Sequence, residues 1–320
     1  MNEEPQNGLA IEAKALVKRY NEDVLAVDGI DLAIGANTIY SLLGPNGAGK
    51  TTTLSILTTL LEPTAGSATV CGLDVVKQAN EVRSCIGVTF QETVLDDALT
   101  GRQALDFHGK LYSQSKAQRL KKIEELLALV ELEEAADRKI RTYSGGMKRR
   151  LELIRGLMTE PEVFFLDEPT LGLDPQSRAR LGDYIQDLKE NQGLTLLLTT
   201  HYMDEAQLLS DKVGIIDHGK IVAEGSPKEL INQMSADIIN IEGQGDIDAY
   251  VETLKALPFT EGTSSANDLI QVGVDSGNRR LVEVVSAAGE SGFRIEDISV
   301  AKPSLGDVFL KYTGRQFRDL

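Results

Sequence analysis

Residues 41–53 read SLLGPNGAGKTTT, which sets Gly44, Gly49, Lys50 and Thr51 at the spacing G-x-x-x-x-G-K-[ST]. An apolar run from Thr38 to Leu43 leads in with the character of a buried strand, and a helical pattern over 51–60 leads out. That order makes chemical sense. Glycines let successive backbone N–H groups curl around a polyphosphate, and the helix N-terminus adds unpaired donors and the positive end of its dipole. Lys50 is placed to reach the outer phosphates and the Thr51 hydroxyl to hold Mg²⁺. The whole loop, with Pro45, Asn46, Gly47, Ala48 and Thr52 included, is expected to bind nucleotide.

Working outward, the chain has 320 residues, 42% of them hydrophobic, enough for a large core and for two domains. The net charge is −16, and no Lys/Arg-rich cluster forms a stripe suited to nucleic acid, so no nucleic-acid partner is expected. Cys71 and Cys85 are the two cysteines, without C-x-x-C spacing or neighbouring histidines, and read as free thiols rather than metal ligands. Met1 to Gly8 is polar and acidic, unlike a secretory leader. No run approaches the roughly 20 apolar residues that span a bilayer, so a membrane role is expected to come through a partner.

The pattern predicts an α/β core. Leu9 to Val17 and Gly29 to Ile34 alternate like antiparallel strands, and Ser67 to Cys71 and Cys85 to Phe90 are short strands. From Thr100 to Glu160 the period turns helical, notably in Ala117 to Val130 and Ser144 to Thr159, Pro161 closes that block, and the helical subdomain is expected over about 91–160. Strand-like runs return at Val163 to Leu166 and Thr195 to Thr200 around a helix from Pro175 to Glu190, and a hairpin follows over 212–223. Around Asn232 to Ala236 the pattern breaks. Beyond it the order strand 237–242, helix 247–256, strand 268–274, helix 279–289, strand 293–300 and helix 304–312 resembles a small ferredoxin-like α+β unit. The expected division is therefore 9–232 and 235–320, the second part acting as an accessory domain that stabilises a dimer.

Four apolar residues end in two carboxylates at Val163-Phe164-Phe165-Leu166-Asp167-Glu168. A buried strand would deliver Asp167 to its tip as an Mg²⁺ ligand and Glu168 as the group that polarises water against the γ-phosphate. Read alone, the pair is an acidic turn after a core strand; coupled to the upstream phosphate loop, it becomes the second half of a nucleotide site. Tyr143-Ser144-Gly145-Gly146-Met147 opens a helix, with Ser144 at the cap position and glycines that admit a close phosphate.

This order of motifs resembles the ATP-binding subunits of ABC transporters over nearly the whole chain. Tyr20 matches the aromatic that stacks on adenine, 44–51 the Walker A loop, and Gln91 the glutamine loop, where it would also reach the metal. Residues 143–147 match the signature motif, 163–168 Walker B, Leu173-Asp174 the D-loop, and His201 the switch histidine. The signature carries Tyr143 where Leu is usual and Met147 where Gln is usual, while Ser144, Gly145 and Gly146 are intact. Tyr-Ser-Gly-Gly-Met with a basic run, Thr200 to Ala206, and the tail Pro303 to Leu310 with Thr313-Gly314-Arg315 are similar to the daunorubicin-resistance branch of exporters, although Gly306 replaces its usual Glu.

The resemblance implies a P-loop NTPase core with an antiparallel β subdomain and an inserted helical subdomain. It implies ATP and Mg²⁺ as cofactors, and Glu168, His201 and Lys50 as the catalytic set. It also implies head-to-tail homodimers in which Ser144, Gly145, Gly146 and Asp174 complete the opposite site. The partner would be a separate integral membrane permease, the place the cytoplasmic face of the membrane, and the work export of a drug or other amphipathic compound. A soluble ATP-switched protein acting on ribosomes or DNA is the alternative. The single phosphate loop, the compact helical block and the acidic charge count against it.

Overall fold

A computed structural model describes residues 8–20, 24–92, 94–234, 237–266 and 269–313. The tail residues Gly314 and Arg315 lie outside the described residues. The chain divides into two compact units, residues 1–221 and 222–320.

The first unit starts with two long antiparallel strands, β1 (Leu9–Arg19) and β2 (Leu25–Gly35). Alternate residues of β2, among them Ile30, Leu32 and Ile34, are buried, the period of two that puts one face on a core. Next come β3 (Ile39–Leu43) and α1 (Lys50–Leu57), then β4 (Ala65–Val70), β5 (Leu73–Asp74), α2 (Ala79–Cys85) and β6 (Ile86–Thr89). The helical block holds α3 (Gly101–Leu111), α4 (Lys116–Leu129) and α5 (Gly145–Leu157). Capping boxes start the first two, Thr100 with Gln103 and Ser115 with Gln118. The chain then returns through β7 (Val163–Asp167), α6 (Pro175–Gln192), β8 (Thr195–Thr200), α7 (Met203–Leu209) and β9 (Lys212–Asp217), and the boundary between the units falls within β10 (Lys220–Gly225).

These strands make two sheets, one ordered β2-β1-β4-β5 and one ordered β10-β9-β3-β8-β7-β6. Strand β3 pairs parallel with both β8 and β9, and β7 pairs parallel with β6 and β8. Strands β3, β7 and β8 are buried at every residue, because this sheet is covered on both faces. Tyr40, Leu42, Phe165 and Leu197 pack toward β1 and β2, while Ile39, Phe164, Leu166 and Leu198 pack into the core shared with the helical block. All three central strands end at the same edge, where a doubly covered α/β sheet binds its ligands.

The second unit holds α8 (Pro227–Asn232), β11 (Asp237–Gln244), α9 (Ile247–Lys255), β12 (Thr260–Ala266), β13 (Leu269–Val274), α10 (Gly277–Ser291), β14 (Arg294–Ala301) and α11 (Leu305–Thr313). Its antiparallel sheet runs β12-β13-β11-β14, the strand order of a ferredoxin-like unit. Two features differ from expectation. Strand β12 was not foreseen, because TEGTSSA has no apolar alternation; it is an edge strand held by its backbone ladder to β13. Helix α8 lies in the second unit instead of closing the first at 232, since it packs on α11 and the Gln233 carbonyl accepts from Lys311 Nζ at 3.1 Å.

Candidate functional site

The loop between β3 and α1 is shaped by Gly49, whose φ is +108° and whose missing Cβ would collide with the Ala26 carbonyl. Lys50, the first residue of α1, turns its side chain back into this loop. Its ammonium donates to the carbonyls of Gly44 at 2.8 Å and Pro45 at 3.0 Å, and lies 3.3 Å from Glu168 Oε1. The Lys50 side chain is only 4% exposed. Burial pushes its pKa below the ordinary ammonium range, against the opposing pull of Glu168.

Thr51 follows and donates through Oγ1 to Asp167 Oδ1 at 3.2 Å. Thr199, from β8, donates to the same oxygen at 2.5 Å. Burial raises the Asp167 pKa, while the bonds from Thr199 and Thr51 act to lower it. A carboxylate and a hydroxyl side by side form a hard oxygen donor set, which fits Mg²⁺ when phosphate oxygens and water supply the rest. Among the described residues no cluster of three or more His, Cys, Asp or Glu could hold a metal without such help.

Glu168 sits between two side chains. Lys50 faces its Oε1, and His201 Nδ1 is 3.2 Å from its Oε2 without hydrogen-bond alignment. The His201 ring packs on Tyr202 at 4.1 Å, and the Arg178 guanidinium covers the other ring at 3.9 Å. Glu168 has φ +45°, uncommon for a residue with a side chain. Its own N–H donates to Thr199 Oγ1 at 3.0 Å, so strand β8 fixes this turn as well.

The structure thus brings Lys50, Thr51, Asp167, Glu168 and His201 together at one sheet edge. Tyr20 stands beside them, 53% exposed, with its hydroxyl 3.3 Å from Thr52 Oγ1 and the Lys18 ammonium over its ring at 5.6 Å. Gln91 is exposed on the loop after β6, and its side chain takes no part in the Thr51–Asp167 hydrogen bond. Ser144, Gly146 and Asp174 form a separate group. Ser144 Oγ caps α5 by accepting from Met147 N at 3.2 Å, and Asp174 caps α6 by accepting from Ser177 N at 3.0 Å. A Cβ on Gly146 would meet Ser177 Oγ at 2.8 Å, so these two helix starts lie against each other. Gly145 faces open space.

Three residues that reading the motifs missed hold the site in shape. Thr199 bonds both Walker B residues. Glu205, buried on α7, accepts from Thr200 Oγ1, which in turn accepts from Tyr202 N at 2.9 Å and so fixes the turn carrying His201. Arg149 is buried beneath α5 although it sits in a run of three basic residues. Helical spacing could have flagged it, because 149, 153 and 156 share one face of an amphipathic helix. Cys71 and Cys85 are free thiols away from all of this.

Residues 27–171 match the ABC transporter family. The daunorubicin resistance ATP-binding protein DrrA2 of Streptomyces coeruleorubidus is 41% identical over 313 residues, covering 97% of this chain and 97% of its own length. Among solved structures, cbiO1 from Clostridium perfringens, part of the ABC transporter complex cbiONQ, aligns with a TM-score of 0.66 and 25% identity over 71% of this chain and 92% of that one. An ATP-binding cassette solved as a dimer in a post-hydrolysis state with ADP and Pi aligns with a TM-score of 0.61 and 26% identity, over 68% of this chain and 98% of that one. With a phosphate loop, paired carboxylates and a histidine meeting at one sheet edge, the chain belongs to the ABC transporter family as an ATP-binding, ATP-hydrolysing protein.

Proposed function

We propose that this chain powers export through a separate membrane permease, working as a head-to-tail homodimer at the cytoplasmic face of the membrane. The observation that carries the reading is the division of labour within one chain. Lys50, Thr51, Asp167, Glu168 and His201 converge, while Ser144, Gly146 and Asp174 sit at other helix starts with phosphate-binding character and no phosphate loop of their own. Each chain therefore carries two complementary half-sites.

In the closed dimer, backbone N–H groups of residues 44–52 cradle the phosphates and Tyr20 stacks on adenine. Lys50 leaves the loop carbonyls and Glu168 for the γ-phosphate. The partner subunit's Ser144 and Gly146 close over that phosphate from the other side. Thr51 and Asp167 would hold Mg²⁺, with Gln91 as a further candidate ligand, and the ion would supply charge neutralisation of the phosphate oxygens. Glu168 accepts the proton of the attacking water, and His201 bonds the γ-phosphate through one ring nitrogen. Asp174 links the two sites across the interface. Loss of the γ-phosphate removes the shared contact and lets the halves part.

Among the described residues no helix is long and apolar enough to cross a membrane, which is why the permease is assigned to another chain. The relative's name supports a cargo of the daunorubicin kind, an amphipathic drug. The test is the association state of Glu168→Gln with MgATP. A dimer at saturating nucleotide that returns to monomer without it supports the reading, and a monomer throughout overturns it. Fractionation of cells tests the place of action: membrane association that depends on an integral partner is expected, and ribosome co-sedimentation would redirect it.

A further inference from the structure

We infer that Arg149 is a positioning residue that holds the Glu168 turn in its catalytic shape and ties that turn to the glutamine loop. The guanidinium makes a fork of bonds to the backbone. Its Nη2 donates to the carbonyls of Asp167 and Glu168, both at 2.9 Å, and its Nε donates to the Pro169 carbonyl at 2.6 Å. Three successive carbonyls around the hydrolytic carboxylate are thus gripped by one planar group, which only Arg can do. Meanwhile Nη1 donates to the Phe90 carbonyl at 2.6 Å, on the peptide that leads into Gln91.

The rest of α5 fastens the same loop. Glu152, 1% exposed, accepts from Val94 N at 2.7 Å and lies 3.4 Å from Arg149 Nη1. Arg155 Nη1 donates to the Val94 carbonyl at 3.0 Å, and Lys148 Nζ bonds Asp97 at 2.7 Å. The loop is therefore carried on the helix that the signature motif opens, and Arg149 bonds both this loop and the turn after β7. Close packing brings the helix to the sheet. A Cβ on Gly156 would meet the Phe164 ring at 2.6 Å, so any larger residue would lift α5 away.

The consequence is local. Glu168 has a positive φ, a conformation that persists only where its surroundings over-determine it. Removing the fork lets the turn relax and swings the carboxylate off the attacking water, while the phosphate loop, which Arg149 does not touch, still binds nucleotide.

This inference rests on the ATPase reading of the site. The test is steady-state hydrolysis, MgATP binding and thermal melting of full-length Arg149→Lys and Glu152→Gln. Lysine keeps the charge but cannot span the three carbonyls. For R149K we expect kcat to fall at least tenfold, with KM and nucleotide affinity within threefold of wild type and melting preserved. E152Q, which loosens Arg149 without removing it, should lose about threefold in kcat with the same unchanged KM. A purely structural role would lower melting and nucleotide binding together and leave kcat per folded molecule intact, and that result overturns the inference. If R149K does not fold, wild-type kcat in E152Q overturns it too. Absence of hydrolysis in the wild-type chain would strike at the ATPase reading itself, a distinct outcome.

Discussion

The ammonium of Lys50 lies 3.3 Å from the carboxylate of Glu168, and both side chains are more than nine-tenths buried. On the proposed roles, the residue for the γ-phosphate and the residue for the attacking water are ion-paired, so phosphate would compete with Glu168 for Lys50. Glu168→Gln removes the competing charge and the base at once. Hydrolysis is expected to fall by about 10²–10⁴, the usual contribution of a positioned general base. MgATP affinity should rise several-fold in an equilibrium titration. Weaker binding would mean that Glu168 supports the phosphate loop rather than competing with phosphate.

Thr51 and Thr199 both donate to Asp167 Oδ1, but only Thr51 belongs to the phosphate loop. Thr51→Ala deletes the hydroxyl proposed to face the metal and leaves Thr199 to orient the carboxylate. The Mg²⁺ concentration for half-maximal hydrolysis should rise about tenfold, with little change in metal-free nucleotide binding. Thr199→Ala should instead disturb Asp167 and the Glu168 N–H together, and so lower kcat.

The parts legible in the sequence are those where backbone and chemistry coincide. Strand β3 with its glycine loop, and the all-apolar β7 ending in Asp167-Glu168, announce themselves because fixed spacing and full burial leave few other readings. Ser144 was legible as a helix cap and is one, whereas Asp174, read only as part of the D-loop, caps α6 as well. Arg149, Thr199 and Glu205 were not, because their partners are backbone groups or residues on other elements, and a buried cation within a basic run looks like a solvated face. Strand β12 was missed for a related reason: its polar residues offer no pattern, and pairing with β13 alone makes it a strand.

The place of α8 sets the right truncation point. Leu230 is 1% exposed and α8 packs on α11, so cutting after Met234 leaves a bare apolar helix face. Cutting after Gly225 ends the chain cleanly behind β10. The shorter fragment is expected to stay soluble and bind MgATP within a few-fold of the full chain, whereas the fragment ending at 234 should aggregate on concentration. Loss of ATP-dependent association in the soluble fragment would give the second unit its stabilising role in the dimer; unchanged association would remove it.

Glu205 offers a pH test. Its pKa is raised, first by burial, against the bond from Thr200, the nearby Thr170 hydroxyl and the Arg178 cation, with Asp204 adding to the rise. A carboxyl whose folded pKa lies above its ordinary 4.5 fits the fold better when protonated. Its contribution to stability is therefore complete below 4.5 and is lost as pH rises through the folded value. At pH 7.5 the buried charge is a standing cost, and Glu205→Gln removes it while keeping an acceptor for Thr200. The variant should melt above wild type at pH 7.5. The gap should close as pH falls toward 4.5. Comparing variant with wild type at each pH cancels the other carboxylates, so the slope of the difference reports Glu205 alone. A variant less stable than wild type at pH 7.5 would mean that the ionised carboxylate gains more from Thr200 and Arg178 than burial takes away.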